Sequence, residues 1–343
     1  MIKQFANNSS RPPLQVNVTR GTMVESRHMI HGVITDASGK IVKQWGDIES
    51  PVYLRSAIKP IQALPLVESG AADAFNVTEK ELSLACASHT GEDLHVEAVK
   101  GWLKRIGLSI DDLECGSHWP SYAPAERALA AKGLEPTTAH NNCSGKHSGF
   151  LATSVHLGED HRGYIHIDHP VQQRIVKILE DFTELDLSRA PMGIDGCSIP
   201  TIGIPLLNSA MAIAKFADPE KLALDRAAAC RRIQEAIAAE PDMIAGSDRL
   251  CSAMNRSAKG EVIAKVGAEG VYLAALPTLG LGIALKTADG TTRGVEVALG
   301  GILESLGIMS DEMHREMDEF ILPTLVNRNE IEVGRLSLSE EIS

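Results

Sequence analysis

The chain has 343 residues, and its 33 Lys and Arg against 45 Asp and Glu give a formal net charge of −12. An acidic surface repels phosphate backbones, so we expect no nucleic-acid partner. Hydrophobic residues make up 44% and charged residues 23%, which indicates a globular protein and excludes a disordered one.

The first structural signal along the chain is a β-hairpin. Residues 29–35 and 41–46 are typical of strands, and the Asp, Ser and Gly between them tolerate tight backbone angles. From residue 56 to about 240, apolar side chains recur mostly at helical spacing. An apolar run at 82–88 lies in this region, and helices are expected at 94–106, 123–132, 171–183, 206–215 and 219–239.

The C-terminal third returns to strands. These are expected at 261–266, 280–287 and 294–298, followed by a helix from 300 and a polar tail from 327. Strands at both ends and helices between them predict an α+β fold. Its antiparallel sheet would combine the N-terminal hairpin and the C-terminal strands, with a long helical middle region.

No Pro-rich or Ser-rich linker divides the chain, so we expect a single unit over residues 1–343. Within it, the sheet region would take about 1–55 and 255–310, and a mainly helical lobe about 56–250.

The sequence also predicts a cytoplasmic protein without a membrane segment. It has no run of eighteen apolar residues, and its polar N-terminus lacks the apolar core of a secretory signal. The six cysteines are irregularly spaced, which favours reduced thiols over a disulfide framework.

A Ser-x-x-Lys motif, Ser56 to Lys59, offers a nucleophile and a base on one helical face. A lysine amine accepts the serine proton if burial or nearby cations lower its pKa. Pro60 and Pro65 each remove an N–H group, so a short or kinked helix is expected here. Chance alone also produces this motif in a chain of this size.

Further residues fit the pattern of Ser-x-x-Lys enzymes of the penicillin-recognising class. Those enzymes add a serine in the helical region and a Lys-Ser/Thr-Gly sequence on a late strand. Ser88 and Lys265 are the candidates here, although Val266 replaces the Ser or Thr. The alternatives are a serine capping a helix end and a solvated strand lysine.

Two glycine-bearing loops, 141–149 and 193–201, carry the other reactive side chains. Their thiols, Cys143 and Cys197, could share a zinc ion with an imidazole and a carboxylate. Two buried thiols, or Cys143 as a nucleophile with His147 as its base, are the alternatives.

Together these residues resemble the Rhizobium-etli-type L-asparaginases, from about residue 19 to 302. The resemblance rests on ordered motifs: Ser-Ala-Ile-Lys-Pro at 56–60, Cys-Ala-Ser-His at 86–89, Cys-Gly-Ser-His-Trp-Pro at 115–120, Asn-Cys-Ser-Gly-Lys-His at 142–147 and Asp-Gly-Cys at 195–197.

The resemblance implies hydrolysis of L-asparagine to L-aspartate and ammonia by a homodimer with a serine β-lactamase/glutaminase-like fold. It implies one Ser-Lys pair of Ser56 and Lys59, and a second of Ser88 with a strand lysine, matched here to Lys265. It also implies zinc bound by two cysteines and a lysine, with two residues beside the metal and the substrate. The metal ligands would be Cys143, Lys146 and Cys197, and the neighbouring residues His147 and Asp195.

The mechanism expected from these roles is acyl transfer. Ser56 would attack the side-chain amide carbon with Lys59 as general base, while Ser88 and Lys265 relay protons to ammonia. Arg55 is either a carboxylate anchor, since its guanidinium fork suits a planar anion, or part of a surface ion pair. Which serine attacks is left open.

Other functions remain as alternatives. A related Ser-Lys hydrolase could act on glutamine or a β-lactam, and a non-catalytic protein could use the two cysteines only to bind zinc.

Overall fold

The computed structural model describes residues 11–342. The first ten residues, which bear on the expected lack of a secretory signal, lie outside this range. The chain divides into two compact units, which are treated separately below. The first takes residues up to 57, 204–218 and 264 onwards; the second takes 58–203 and 219–263. The single unit expected from the sequence stays a prediction.

Strands and helices together confirm the α+β class. The strands are β1 (Leu14–Arg20), β2 (Met23–Asp36), β3 (Ile41–Trp45), β4 (Pro51–Tyr53), β5 (Met192–Ile194), β6 (Pro200–Pro205), β7 (Ile263–Gly267), β8 (Val271–Leu276), β9 (Leu281–Thr287), β10 (Thr324–Val326) and β11 (Glu332–Leu338).

The α-helices follow the same chain order. They are α1 (Lys59–Gln62), α2 (Leu64–Glu68), α3 (Ala71–Ala74), α4 (Glu79–Ala85), α5 (Asp93–Arg105), α6 (Ala123–Ala131), α7 (Ser144–His156), α8 (Pro170–Thr183), α9 (Leu206–Ala217), α10 (Leu224–Ala239), α11 (Leu250–Ser257), α12 (Thr292–Ser305) and α13 (Asp311–Ile321).

An eight-stranded sheet forms the first unit, in the order β10-β11-β1-β2-β9-β8-β7, with β3 also paired to β2. Strand β2 pairs antiparallel with β9 from Ile30 opposite Thr287 to Asp36 opposite Leu281. It pairs antiparallel with β3 as the predicted hairpin. The expected sheet of N-terminal and C-terminal strands is therefore confirmed.

Helices cover both faces of this sheet. A Cβ atom at Gly282 of β9 would lie 2.2 Å from the carbonyl oxygen of Ala210, so α9 packs on that face. A Cβ atom at Gly294 of α12 would meet the side chain of His28. Since Gly282 is paired with Thr35, and alternate residues of β2 face opposite sides, His28 and α12 lie on the other face.

Three segments of the first unit differ from the sequence prediction. The expected strand at 294–298 is wrong, because these residues belong to α12. Its Val-Glu-Val sequence alternates like a strand, but the buried positions, including Val295, Ala298 and Ile302, repeat at helical spacing. Strand β8 escaped prediction because all six residues are buried and show no alternation. The tail, expected to be only polar, contributes β11.

Helices dominate the second unit, with β5 and β6 forming an antiparallel pair. The helices expected in the middle of the chain are confirmed, with end shifts of a few residues. Helix α4 begins at a capping box, in which the Thr78 side chain accepts the Glu81 N–H and Glu81 accepts the Thr78 N–H. This cap satisfies N–H groups that the first turn leaves free, and so fixes where the helix starts.

Replacing Gly282 by alanine tests the packing of α9 on the sheet. The new methyl would also lie 2.5 Å from the backbone nitrogen of Ala214, so backbone must move. We expect a loss of about 3 kcal/mol in the free energy of unfolding, measured by urea denaturation. Gly101→Ala is the control: it has nothing within 4 Å in α5 and should gain about 1 kcal/mol. Equal stabilities of the two variants would contradict this packing.

Candidate active site

The Ser-x-x-Lys motif lies just after strand β4. Ser56 is half-buried in a short 3-10 turn, Arg55–Ile58, and Lys59 begins α1. The expected short, interrupted helix is confirmed, because α1 ends at Gln62 and α2 begins at Leu64. Pro60 and Pro65 each occupy the first turn of their own helix, where a missing N–H costs no intrahelical hydrogen bond.

Lys59, the lysine of this motif, is fully buried, with 0% of its surface exposed. Its Nζ donates to the carbonyl oxygen of Ala87, to Ser88 Oγ at 3.0 Å and to Cys143 Sγ at 3.2 Å. Burial lowers the pKa of Lys59, with the nearby Cys143 opposing this shift. A buried amine with a lowered pKa beside a hydroxyl has the properties of a general base.

Ser88 is held by backbone hydrogen bonds on both sides. It lies just beyond α4, where its N–H donates to the carbonyl of Ile244 at 2.9 Å, and the N–H of Thr90 donates to Ala245. Between them, His89 Nδ1 accepts the N–H of Gly91 at 3.1 Å, and its Nε2 lies 2.9 Å from Ser144 Oγ. The segment is therefore fixed independently of any ligand.

The next helix, α7, brings the second group of reactive side chains into the same unit. Cys143 occupies the N-cap position of α7, and Asn141 Oδ1 accepts the Cys143 N–H at 2.9 Å. A Cβ atom at Gly145 would lie 2.3 Å from the carbonyl oxygen of Leu84, so only glycine permits this approach of α7 to α4. Lys146 and His147 follow in the first turn.

Cys197 lies in the tight connection between β5 and β6. The N–H of Asp195 donates to Ile199 and that of Ser198 donates to Asp195, both at 2.8 Å, with Ser198 at a positive φ of 74°. Lys146 Nζ donates to Cys197 Sγ at 3.1 Å. The turn thus places the second thiol against the first turn of α7.

The two thiols share one hydrogen bond and hold opposite protonation states. The bond from Cys143 lowers the pKa of Cys197 to about 5, while the same bond and burial raise the pKa of Cys143 to about 12. Burial lowers the pKa of Lys146, but the charges of Cys197, Cys143 and Asp195 outweigh it and raise the pKa. One thiolate thus faces one ammonium group in a buried cluster.

His147 is bonded at one ring nitrogen only. The Tyr164 hydroxyl lies 2.8 Å from Nδ1 of His147 and accepts the Glu114 N–H at 2.8 Å. Nε2 is buried without a hydrogen-bond partner in residues 11–342. Burial lowers the pKa of His147 well below its usual range, so the ring is neutral. Neither ring nitrogen contacts Cys143 by a hydrogen bond, which counts against a Cys143–His147 nucleophilic pair.

The predicted residues thus fall into two groups. The first unit holds Arg55, Ser56 and Lys265. The second unit holds the other seven, which are Lys59, Ser88, Cys143, Lys146, His147, Asp195 and Cys197. Lys265 is 1% exposed on β7, and its Nζ donates to the carbonyl of Val266 at 2.7 Å. A Cβ atom at Gly267, two residues further, would lie 2.6 Å from Leu54 O. Strand β7 therefore runs beside the segment that carries Ser56.

The residues present fit a zinc ion. The thiols of Cys143 and Cys197 share a hydrogen bond, and the Lys146 amine donates to Cys197 Sγ. Thiolate and nitrogen are ligands that zinc prefers. Over residues 11–342, no group of three or more His, Cys, Asp or Glu side chains could hold a metal ion, so a site here needs the lysine.

Sequence reasoning overlooked Tyr164, His95 and Glu114. Tyr164 is 0% exposed and contacts His147, and His95 stacks on His89 with ring centroids 4.7 Å apart. No spacing rule connects these positions to the motifs, because the contacts depend on how the helices pack. Tyr164 follows Gly163 and precedes Ile165 in the segment between α7 and α8, and nothing in that local sequence singles it out.

Comparison with known proteins supplies the class. The family model for L-asparaginase II matches residues 16–338, nearly the whole chain. The chain belongs to the L-asparaginase II family.

Solved structures give weaker likenesses. A structure of Mglu in its tris and glutamate form is 14% identical, with 81% of this chain covered and a TM-score of 0.45. A β-lactamase from Mycobacterium bovis is 11% identical, with 82% of this chain and 95% of that chain covered and a TM-score of 0.41. At such scores they carry no argument about function.

The chain spans 59% of the length of that Mglu structure. It matches none of the curated proteins with which it was compared. Among the described residues, no helix is both long and apolar enough to cross a membrane.

Proposed function

We propose that the protein hydrolyses L-asparagine to L-aspartate and ammonia through an acyl-enzyme formed on serine. One observation carries this proposal: the buried Lys59 amine, with a lowered pKa, donates to Ser88 Oγ at 3.0 Å. Membership of the L-asparaginase II family supports the choice of substrate.

The first half of the reaction would form the ester. Ser56 Oγ attacks the side-chain amide carbon while Lys59, three residues further, takes the hydroxyl proton. The C–N bond then breaks, and the nitrogen leaves as ammonia after receiving a proton through Ser88, the hydrogen-bond partner of Lys59. Lys265 is proposed as the further lysine of this relay.

The second half would reverse these roles. Water attacks the ester carbon, Lys59 accepts a proton from it, and Ser56 leaves with its proton restored. Aspartate is then the product. The atoms balance with one water consumed and one ammonia released per turnover.

Substrate binding is assigned to Arg55, His147 and Asp195. Asp195 is half-buried, and its charge adds to those of Cys197 and Cys143, which raise the pKa of Lys146 against the effect of burial. Nε2 of His147 is buried and has no hydrogen-bond partner within residues 11–342. A buried polar atom without a partner costs about 1–3 kcal/mol, which a substrate oxygen would recover. Arg55 would face the substrate carboxylate.

Zinc is proposed as the bound metal, held by Cys143, Lys146 and Cys197. When bound, the ion would supply positive charge and order the loops that carry its ligands. Lys146 would have to give up its proton to coordinate, which makes it an unusual ligand. No step of the proposed Ser-Lys mechanism uses the metal.

Two rival functions differ from this one in substrate or in catalysis. A related Ser-Lys hydrolase would prefer L-glutamine or a chromogenic β-lactam over L-asparagine. A non-catalytic zinc protein would release ammonia from none of them. A homodimer is proposed from the sequence resemblance, and sedimentation of the full chain would test it.

Variants of the serines and of Lys59 test the proposed mechanism. Ser56→Ala and Lys59→Arg should each lower kcat for ammonia release from L-asparagine by about a thousandfold. Arginine keeps the positive charge at position 59 but cannot act as a base at neutral pH. Ser88→Ala, which removes the relay, should lower kcat by about a hundredfold.

The same assay separates the two serines. If Ser88→Ala abolished activity while Ser56→Ala kept more than about a tenth of it, Ser88 would be the nucleophile. Lys259→Arg, at an exposed position on the surface, is the matched control for a Lys-to-Arg change and should keep full activity.

Metal analysis tests the zinc proposal. Wild-type protein dialysed against zinc should retain about one ion per chain, and Cys197→Ser should retain well below half of that. Cys230→Ser is the control, because this thiol is equally buried and lies in α10, outside the cluster. Equal zinc contents for the two variants would exclude Cys197 as a ligand.

A further inference from the structure

We propose that Tyr164 is a positioning residue whose hydroxyl fixes His147 in the tautomer that presents Nε2–H to a substrate oxygen. This inference rests on the proposed function, because it takes His147 as a substrate-binding residue. It adds Tyr164, a residue outside every motif of the sequence, and a defined donor atom.

The first step is the direction of the hydrogen bonds at Tyr164. The backbone N–H of Glu114 donates to the hydroxyl oxygen at 2.8 Å. The hydroxyl hydrogen then needs an acceptor, and Nδ1 of His147, also at 2.8 Å, is its hydrogen-bond partner among the described residues. Tyr164 is 0% exposed, so bulk solvent does not compete for the hydroxyl hydrogen, and the geometry directs it to Nδ1.

The second step is the tautomer. A neutral imidazole carries one hydrogen, so a ring that accepts at Nδ1 carries its hydrogen at Nε2. The bond from Tyr164 therefore makes Nε2 a donor. Without the hydroxyl, the hydrogen could move to Nδ1, and Nε2 would become an acceptor unable to bind a substrate oxygen.

The third step is rigidity, since a positioning residue must itself be held. The carbonyl oxygen of Tyr164 accepts the side-chain amide of Gln172 at 2.8 Å, which ties it to α8. The Tyr164 and His147 rings meet edge to face, at 75° with centroids 5.4 Å apart. His147 is itself on α7, so the pair joins two helices.

The last step concerns Nε2, the other nitrogen of the His147 ring. Nε2 of His147 is buried without a partner among the described residues, whereas buried polar atoms are usually satisfied. A donor placed there calls for an acceptor, and the carbonyl and carboxylate oxygens of L-asparagine are acceptors. A trapped water is the competing occupant, and the experiment below distinguishes the two.

The tautomer can be measured without any catalytic assay. We expect nitrogen-15 NMR of wild-type protein to show His147 with an unprotonated Nδ1 and a protonated Nε2. Tyr164→Phe should move a large part of the signal toward the other tautomer. Tyr272→Phe, which also removes a buried hydroxyl, in β8, should leave His147 unchanged. A wild-type ring protonated at Nδ1 would overturn the proposal.

Kinetics then tests the link to the substrate. Tyr164→Phe should raise KM for L-asparagine about tenfold and change kcat by less than about threefold, as expected when one ground-state hydrogen bond is lost. Glutamine at position 147 offers an amide N–H near the place of Nε2 and has no tautomers. In a His147→Gln background, Tyr164→Phe should therefore raise KM no further.

Adding L-aspartate to wild-type protein separates substrate from water. The Nε2–H proton signal should shift at saturation if a substrate oxygen accepts it, and an unchanged signal would assign Nε2 to water. A wild type that releases no ammonia from L-asparagine would defeat the proposed function, while the tautomer would still be decided by NMR. An active wild type whose KM is unmoved by Tyr164→Phe would defeat this inference alone.

Discussion

The buried Lys59 amine fixes the positions of several chain segments of the second unit at once. An ammonium or amine group without solvent must find acceptors inside the protein, since an unpartnered buried charge is very costly. Here the acceptors are a carbonyl, a hydroxyl and a thiol, from Ala87, Ser88 and Cys143. They come from two separate chain segments, so α1, the end of α4 and the start of α7 must all be in place around one nitrogen atom.

The same arrangement divides charge between two neighbouring lysines. Lys59 has a lowered pKa because burial dominates, whereas Lys146 has a raised pKa because thiolate and carboxylate charges outweigh burial. Both amines are enclosed, and they differ in which anions lie beside them. The second unit thus holds one lysine suited to accept a proton and another suited to pair with a thiolate. The two side chains are chemically identical, and their surroundings give them different roles.

The sequence predicted features that depend on neighbours along the chain. The hairpin at 29–46, the helix spans of the middle region and the short helices around Pro60 and Pro65 follow from periodicity and turn chemistry. The motifs also indicated the residues that contact the two buried lysines: Ser88 and Cys143 at Lys59, and Cys197 at Lys146. They stood out because reactive side chains are concentrated there in short glycine-containing segments. The resemblance supplied Lys146 as a metal ligand, which spacing alone did not.

Prediction failed where burial on both sides erased a pattern or where contacts come from packing. Strand β8 was overlooked for the first reason, since a strand covered on both faces shows no alternation. The segment 294–298 of α12 was misassigned because its Val-Glu-Val sequence alternates like a strand. Tyr164 was overlooked for the second, because its partner His147 is 17 residues away and on another element.

Gly145 sets the spacing between helix α7 and helix α4. The close approach of α7 to the carbonyl of Leu84 leaves no volume for a side chain, although Gly145 itself holds no reactive group. Its two neighbours toward the C-terminus are Lys146 and His147, so the distance from α4 to both side chains is set by direct backbone contact. Any side chain at position 145 would therefore push α7 away from α4 and displace Lys146 and His147 together, so a residue without chemistry sets the spacing of two residues that have it.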